Sequence, residues 1–324
     1  MNYISVKKLL ILLCLIVFTS LSLSTVASAS ENKTKKPKRH VVIFSMPRLT
    51  WASLEKADTP NIDKLIGRGS IAAMSVRTLG PVTTPAEGYA TISAGSRAAA
   101  VSSSGTSFVG GEETFDGDLG SSIYRDENST TTREKVAAFG VGFDLSRRLN
   151  QKGLNNSKIG SLADALDKKN KSIAVFGNAD NCLTDSRSCF ERAVAYVGTN
   201  SKGIVEYGDI SRDLLQAKEQ TTSRLNTDME KLAVQTTSAL AKHDVVVSEC
   251  SDLERVEHDR PRTSSKKSDD DYIKEVENCD RFIGMAMKSI DLNNDRVYIL
   301  SASSPRAVEQ TTVFIAAGKS IPNE

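Results

Sequence analysis

The chain has 324 residues, 39% of them hydrophobic and 6% aromatic. That is enough for one large α/β domain or two modest ones, and the composition excludes collagen-like, coiled-coil and multi-span membrane classes. The 42 Lys and Arg against 40 Asp and Glu give a formal charge of +2, but residues 1–40 carry +6 and the other 284 carry −4, so the body has no basic face and binding to nucleic acid by counterion release is not indicated.

Lys7 and Lys8 precede the apolar run Leu9–Phe18, and small residues then lead to Val26-Ala27-Ser28-Ala29-Ser30. A charged start, an apolar middle and an A-x-A site make residues 1–29 a signal peptide cut after Ala29. The alternative is an uncleaved anchor, because Leu9–Val26 is close to the length that spans a bilayer. Either way the body is exported, secreted or held at the envelope. Residues 30–39 then form a basic tether, and any membrane contact runs through the N-terminal segment.

The remainder, 40–324, reads as one α/β domain. His40–Met46 is a continuous apolar run and predicts a buried parallel strand. Thr59–Arg68 predicts a helix with Ile62, Leu65 and Ile66 on one face, Thr59 as N-cap and Pro60 in the first turn. Ile71–Arg77 is a second strand. Thr84-Pro85-Ala86-Glu87 is a capping box that opens a helix over Pro85–Ser93, ended by Gly95. From 99 to 133 the chain loses periodicity and predicts a long surface insertion, a lid, an interface or a disordered segment.

Ser161–Lys169 is helical, Ser172–Gly177 a strand, and Arg192–Gly198 a further strand. Ser211–Lys242 predicts a long amphipathic helix feeding the strand Asp244–Glu249. Cys250–Asp259 and Arg260–Asp271 read as charged loops, Tyr272–Ile290 as a helix, and Arg296–Ser301 and Thr312–Ala317 as the last strands. This alternation predicts a doubly wound, mostly parallel sheet with helices on both faces.

Cys14 leaves with the signal peptide. The four remaining cysteines, in an oxidising compartment, predict two disulfides. Cys182 and Cys189 flank a short polar loop, and Cys250 and Cys279 pair by elimination.

In such sheets chemistry sits beyond the carboxyl ends of the strands. Thr83 is the free hydroxyl of the Leu79–Glu87 segment and a candidate nucleophile, whereas capping accounts for Thr84. Glu254 and His258, an acid four residues before a histidine, are candidate ligands for a divalent cation, with Asp252, Glu257 and Asp259 as further donors. A charged surface loop is the plainer reading of that segment. Of the other histidines, His40 belongs to the tether and His243 packs or caps beside a strand. No G-x-S-x-G, H-E-x-x-H or G-x-x-x-x-G-K-[ST] pattern occurs.

Several segments together resemble the alkaline phosphatase superfamily, the fold shared by nucleotide pyrophosphatases, sulfatases and metal-dependent phosphoglycerate mutases. Thr59-Pro60-Asn61-Ile62-Asp63-Lys64-Leu65 with Gly67-Arg68-Gly69 is similar to its TPNLDxLxxxG helix. Thr83-Thr84-Pro85, Tyr89-Ala90-Thr91-Ile92 and Ala94-Gly95 resemble the stretch that carries its nucleophile. Asp244–Glu249 with Glu254 and His258 resembles its strand and metal loop, and Val297–Ser301 and Val313–Gly318 resemble the strands around its SDHG motif.

The resemblance implies an alkaline-phosphatase-like fold over about 40–318, with Thr83 at the nucleophile position. It also implies two metals held by Asp and His. This chain has Ser45-Met46-Pro47-Arg48 where the first metal-binding Asp belongs, and Ser301-Ala302-Ser303-Ser304 in place of SDHG. Pro47-Arg48-Leu49-Thr50-Trp51 is similar to a PxLxW signature in an exported branch of the superfamily, seen in uncharacterised actinobacterial proteins, whose metal ligands are also degraded.

The expectation is therefore an exported, non-catalytic binding or envelope protein of bacterial source with no cofactor. Its partner would be an envelope component or a small molecule bearing phosphate or sulfate. The alternative is a hydrolase of phosphate or sulfate esters in which Thr83 attacks and Zn or Mn sits on Glu254 and His258. A chain truncated at its carboxyl end is compatible with both.

Overall fold

The computed structural model describes residues 38–80, 82–101, 107–130, 135–151, 156–217, 225–304 and 311–323. The expected signal peptide and residues 30–37 of the tether lie outside these.

The strands are Val41–Ser45 (β1), Gly69–Ser75 (β2), Ile173–Phe176 (β3), Tyr207–Asp209 (β4), Val245–Glu249 (β5), Arg296–Leu300 (β6) and Thr311–Gly318 (β7), and apolar, β-branched runs form β1, β3, β5 and much of β7. They join in one sheet, in the order β2-β7-β6-β1-β5-β3-β4. β7 pairs antiparallel with both its neighbours, and every other pairing in this sheet is parallel.

The helices are Trp51–Lys56 (α1), Pro60–Ile66 (α2), Pro85–Ala94 (α3), Gly120–Asn128 (α4), Phe143–Gln151 (α5), Ser161–Asp167 (α6), Ala195–Gly198 (α7), Met229–Leu240 (α8), Asp252–Asp259 (α9) and Ser265–Met287 (α10). Successive strand residues point to opposite faces, and helices cover both. Val42, Phe44, Val246, Val297 and Ile299 pack with Leu232 of α8 and Val276, Phe282 and Ile283 of α10. On the other face Val175, Val247 and Leu300 pack with Tyr89 and Ala90 of α3 and with Val194–Val197. Each large apolar side chain buried in these layers contributes roughly 1.5–3 kcal/mol. The doubly wound α/β architecture expected from the strand–helix alternation is the one observed.

Local chemistry sets the helix that faces the site. Thr84 accepts a hydrogen bond from the Glu87 N–H, Glu87 accepts from the Thr84 N–H, and Gly95 ends the helix at φ 67°. Replacing Thr84 with Ala is expected to cost about 1 kcal/mol, read as a lower urea midpoint at unchanged m.

Within the described part of 99–133, Ser107–Val109 pairs with Ala138–Val141, which pairs with Ile204–Val205. A short hairpin, Thr114–Phe115 with Asp118–Leu119, and α4 complete this accessory layer. Its strands are too short to show a period. The Arg192–Gly198 run turns helical at Ala195, not extended. The 211–242 helix is shorter: the hairpin Leu215–Ala217 with Leu225–Thr227 comes first, and α8 starts only where Asp228 caps the Lys231 N–H. The charged loops at 250–271 are largely helix, α9 and the start of α10, because Leu253 and Val256 on α9 and Tyr272 on α10 give those polar helices a core-facing stripe.

His40 is not part of a free tether. Its N–H donates to Asp295 Oδ1 and its Nδ1 meets the same oxygen, both at 2.9 Å, fixing the entry to β1. His243 packs as expected, its ring tilted 40° against Tyr207 with centroids 4.6 Å apart.

Candidate functional site

The parallel register places Ser45, Glu249 and Leu300 level at the carboxyl edge of the sheet, and α3 lies directly above. A Cβ at Gly88 would stand 1.7 Å from the Ala302 carbonyl oxygen, so glycine alone permits this approach of α3 to the loop after β6.

A buried hydrogen-bond chain crosses this edge. Ser45 Oγ lies 2.7 Å from the Tyr89 hydroxyl, Tyr89 donates to Glu249 Oε2, and Ser251 donates to Glu249 Oε1 at 2.7 Å. All four residues are buried. Burial pushes the Glu249 carboxyl up to about 6, the Glu254 charge adding to it against the pull of the two hydroxyl donors and Arg255. Burial, reinforced by Glu249, also holds the Tyr89 phenol well above its usual range.

Next to this chain, Arg48 sits at φ 61° in the turn after β1, a conformation disfavoured for a side chain with a Cβ. It is held there by partners. Its Nε and Nη2 donate to the two Glu254 carboxylate oxygens at 3.2 and 3.0 Å, Nη1 to the Ser304 carbonyl at 3.4 Å, and its N–H to Ser303 Oγ at 3.2 Å. This two-pronged pairing is the strong form of an Arg–carboxylate contact.

Thr83 is 1% exposed. Its Oγ1 accepts from the Thr78 N–H at 3.1 Å and lies 3.1 Å from the Thr78 hydroxyl. Its backbone is tied to Ser304 in both directions, N–H to Ser304 Oγ at 2.9 Å and carbonyl to the Ser304 N–H at 3.0 Å. The hydroxyl faces Thr78, inside the loop.

Glu254 and His258 share α9 but have different partners. His258 Nε2 lies 2.9 Å from Asn181 Nδ2 and its Nδ1 3.5 Å from Asp259. Asp252 is paired with Arg255, at 2.9 and 3.0 Å. The donor set therefore does not fit Zn or Mn. Both Glu254 oxygens are occupied by a guanidinium, both His258 nitrogens are engaged, and Ser45, Ala302, Ser303 and Ser304 supply no carboxylate or imidazole. Among the described residues no group of three or more His, Cys, Asp or Glu side chains is placed to hold a metal.

The loop at 177–192 adds a second charged centre. Buried Arg192 donates to Asp180 at 2.8 to 3.3 Å and to Glu113 Oε1 at 3.0 Å, joining the main sheet to the accessory layer. Arg192 and Arg212 both lie over Phe190, each 4.5 Å from the ring centroid. Glu191 is pushed up to about 7 by burial and then by the charges of Glu254, Asp180 and Glu249.

The Cys182–Cys189 disulfide is formed. The other expected pairing is not: Cys250 and Cys279 are buried free thiols in hydrogen-bond contact. At the end of β5 and in the middle of α10 they fill the core as small apolar side chains.

No family model and no curated protein matches the chain. Among solved structures it is similar to a protein from Pyrococcus horikoshii, with TM-score 0.49 and 13% identity over 89% of this chain and 87% of that one. It is also similar to an alkaline phosphatase superfamily protein from Vibrio parahaemolyticus, with TM-score 0.47 and 12% identity over 89% of this chain and 62% of that one. A third likeness is to murine ectonucleotide pyrophosphatase/phosphodiesterase 5, with TM-score 0.43 and 10% identity over 82% and 57%.

Sequence reasoning missed Tyr89, Glu191, Asp180 and Arg192 as members of the site, and named Arg48 only within the Ser45–Arg48 and Pro47–Trp51 stretches. The one local signal was Glu249, an acid closing an otherwise apolar strand.

Proposed function

We infer that this is an exported, non-catalytic protein on an alkaline-phosphatase-like scaffold, acting in the cell envelope as a binding component. The observation that carries the reading is the Arg48 guanidinium on both oxygens of Glu254, at 3.0 and 3.2 Å. A fixed cation holds a carboxylate that a divalent metal would need. The inward-facing Thr83 hydroxyl supports the same reading, because a nucleophile must reach its substrate.

The signal-like start and the Cys182–Cys189 disulfide support export. The partner is an envelope component or a small molecule bearing phosphate or sulfate.

The test is a pair of measurements on the purified protein. Nitrophenyl phosphate, phosphodiester and sulfate esters should show no turnover above background with Zn, Mn or neither. Melting curves in EDTA and in excess metal should coincide, because a metal at 100 times its Kd would add about 2.7 kcal/mol. Metal-dependent turnover that disappears in Thr83→Ala would overturn the reading in favour of an ester hydrolase. Fractionation with N-terminal sequencing checks export, the expected result being an extracytoplasmic protein starting at Ser30.

A further inference from the structure

The accessory layer holds an open cavity of about 380 Å³ between α4, α5 and the turn at 199–206, and it shares no residue with the Ser45–Tyr89–Glu249 chain. Its walls are fixed by bonds. The Tyr124 hydroxyl on α4 donates to the Lys202 carbonyl at 2.6 Å, and Glu127 on the same helix accepts from the Gly142 N–H, just before α5, at 2.8 Å. Asn200 Oδ1 accepts from the Lys202 and Ile204 N–H groups at 3.0 and 3.1 Å and sets the turn. Gly203, at φ 81°, lies against the start of α5: a Cβ there would stand 2.8 Å from the Phe143 ring, so glycine alone closes that wall. The volume is within the range of small-molecule sites, and walls already tied together spare a ligand the cost of ordering them.

The lining selects the chemistry. Phe143 and Ile204 give the cavity an apolar side. Its charges balance: Asp144 is already bound by Arg147 and Arg148, which leaves a ligand one charge of each sign, the Lys202 ammonium and the Glu206 carboxylate. Neither of these has an ion-pair partner among the described residues. An anion would be drawn to Lys202 and repelled by Glu206, and a cation the reverse. A hydroxyl both donates and accepts, so a neutral ligand rich in hydroxyls is served by both groups and by the Ser201 hydroxyl beside them.

We propose that this cavity is a carbohydrate site: it takes a neutral sugar, hydroxyl edge toward Lys202, Glu206 and Ser201 and apolar ring face toward Phe143 and Ile204. The site gives the envelope reading a chemical partner but rests on other residues. Ester turnover would overturn the non-catalytic reading and leave the cavity as it is, and a cavity that takes no sugar would leave the non-catalytic reading standing.

Calorimetric titration of the full chain with glucose, mannose, galactose, N-acetylglucosamine, cellobiose, maltose and chitobiose tests it. At least one should bind saturably, with a Kd of about 1 mM or tighter. Ser201→Trp, on an exposed turn, fills the cavity and should abolish that binding while the melting curve without sugar stays where it was. Glu206→Gln keeps the size of an exposed side chain and removes its charge, and should weaken binding about tenfold. No binding of any of these sugars at about 10 mM, or an affinity left unchanged by either variant, would overturn the proposal. So would inorganic phosphate or sulfate that binds more tightly than every neutral sugar and is lost in Lys202→Ala, which would assign the cavity to an anion.

Discussion

Replacing Arg192 with Met is expected to destabilise the protein by about 3–5 kcal/mol, the range for removing one partner of a buried ion pair. Arg192 has a fully buried side chain, as has Asp180, and Glu113 is three-quarters buried. The guanidinium also reaches the Phe108 carbonyl and lies over Phe190, so one side chain joins the 177–192 loop to the accessory layer. Methionine keeps much of the packing but strands the Glu113 carboxylate, whose remaining partner in the site is the Gly110 N–H at 2.7 Å. Arg212 still reaches Asp180, at 3.2 Å, and keeps the loss from being larger. Lysine should not rescue, because a point charge cannot serve two carboxylates and stack on a ring. A fall in Tm on the order of 10 °C is expected. The combination Arg192→Met with Glu113→Gln should recover part of it, since the stranded charge is gone. A loss below about 1 kcal/mol would mean that the pair behaves as an exposed one.

The central strands were legible because they are largely buried and read as continuous apolar runs, whereas Tyr207–Asp209 at the sheet edge, half-exposed and without an apolar run, was not. HVVIFSM, DVVVSE and RVYILS each became a parallel strand within a residue or two of the expected ends. The capping box at Thr84 was legible for the same local reason: its bonds join residues three apart. The antiparallel pair Leu215–Ala217 with Leu225–Thr227 was hidden because the segment was read as one helix from Ser211, and only the Asp228 side chain marks where the helix begins. At the site, sequence marked Thr83, Glu254 and His258 but not their partners. Thr83 answers to Thr78 and Ser304, Glu254 to Arg48, and His258 to Asn181. Three of those four partners lie 77 to 221 residues away, and a spacing rule carries no information about them. The Ser45–Tyr89–Glu249 chain was out of reach for that reason too, since register and α3 bring it together.

Stability should rise on acidification from about pH 8 to about pH 5, opposite to the usual loss of carboxylate pairs in acid. Glu191 and Glu249 are pushed up from 4.5, to about 7 and about 6, so between those values and 4.5 the folded chain binds protons that the unfolded chain releases. Their stabilising contribution is fully present below the unfolded value and is lost as pH climbs through 6 and then 7. Because the two acids titrate against each other, the total is on the order of 2–4 kcal/mol rather than the sum of two independent shifts. Three groups oppose the trend. His243, lowered by burial and then by Lys38 and Lys242, disfavours the folded state as it takes up a proton. Asp116, held low by the Arg187 backbone N–H and then its side chain, loses its contribution as pH falls through its folded value. Asp244, held low against its burial by the Lys171 side chain and the Ser172 N–H, loses its contribution in the same way; Asp116 is exposed and acts weakly. Thermal melts across this range should show a Tm several degrees higher at the acid end. Glu191→Gln should raise Tm at about pH 8 and leave it unchanged at about pH 5, because the amide mimics the protonated acid. A profile that is flat, or that Glu191→Gln does not flatten, would mean that water reaches both carboxyls and that neither is held away from its ordinary ionisation.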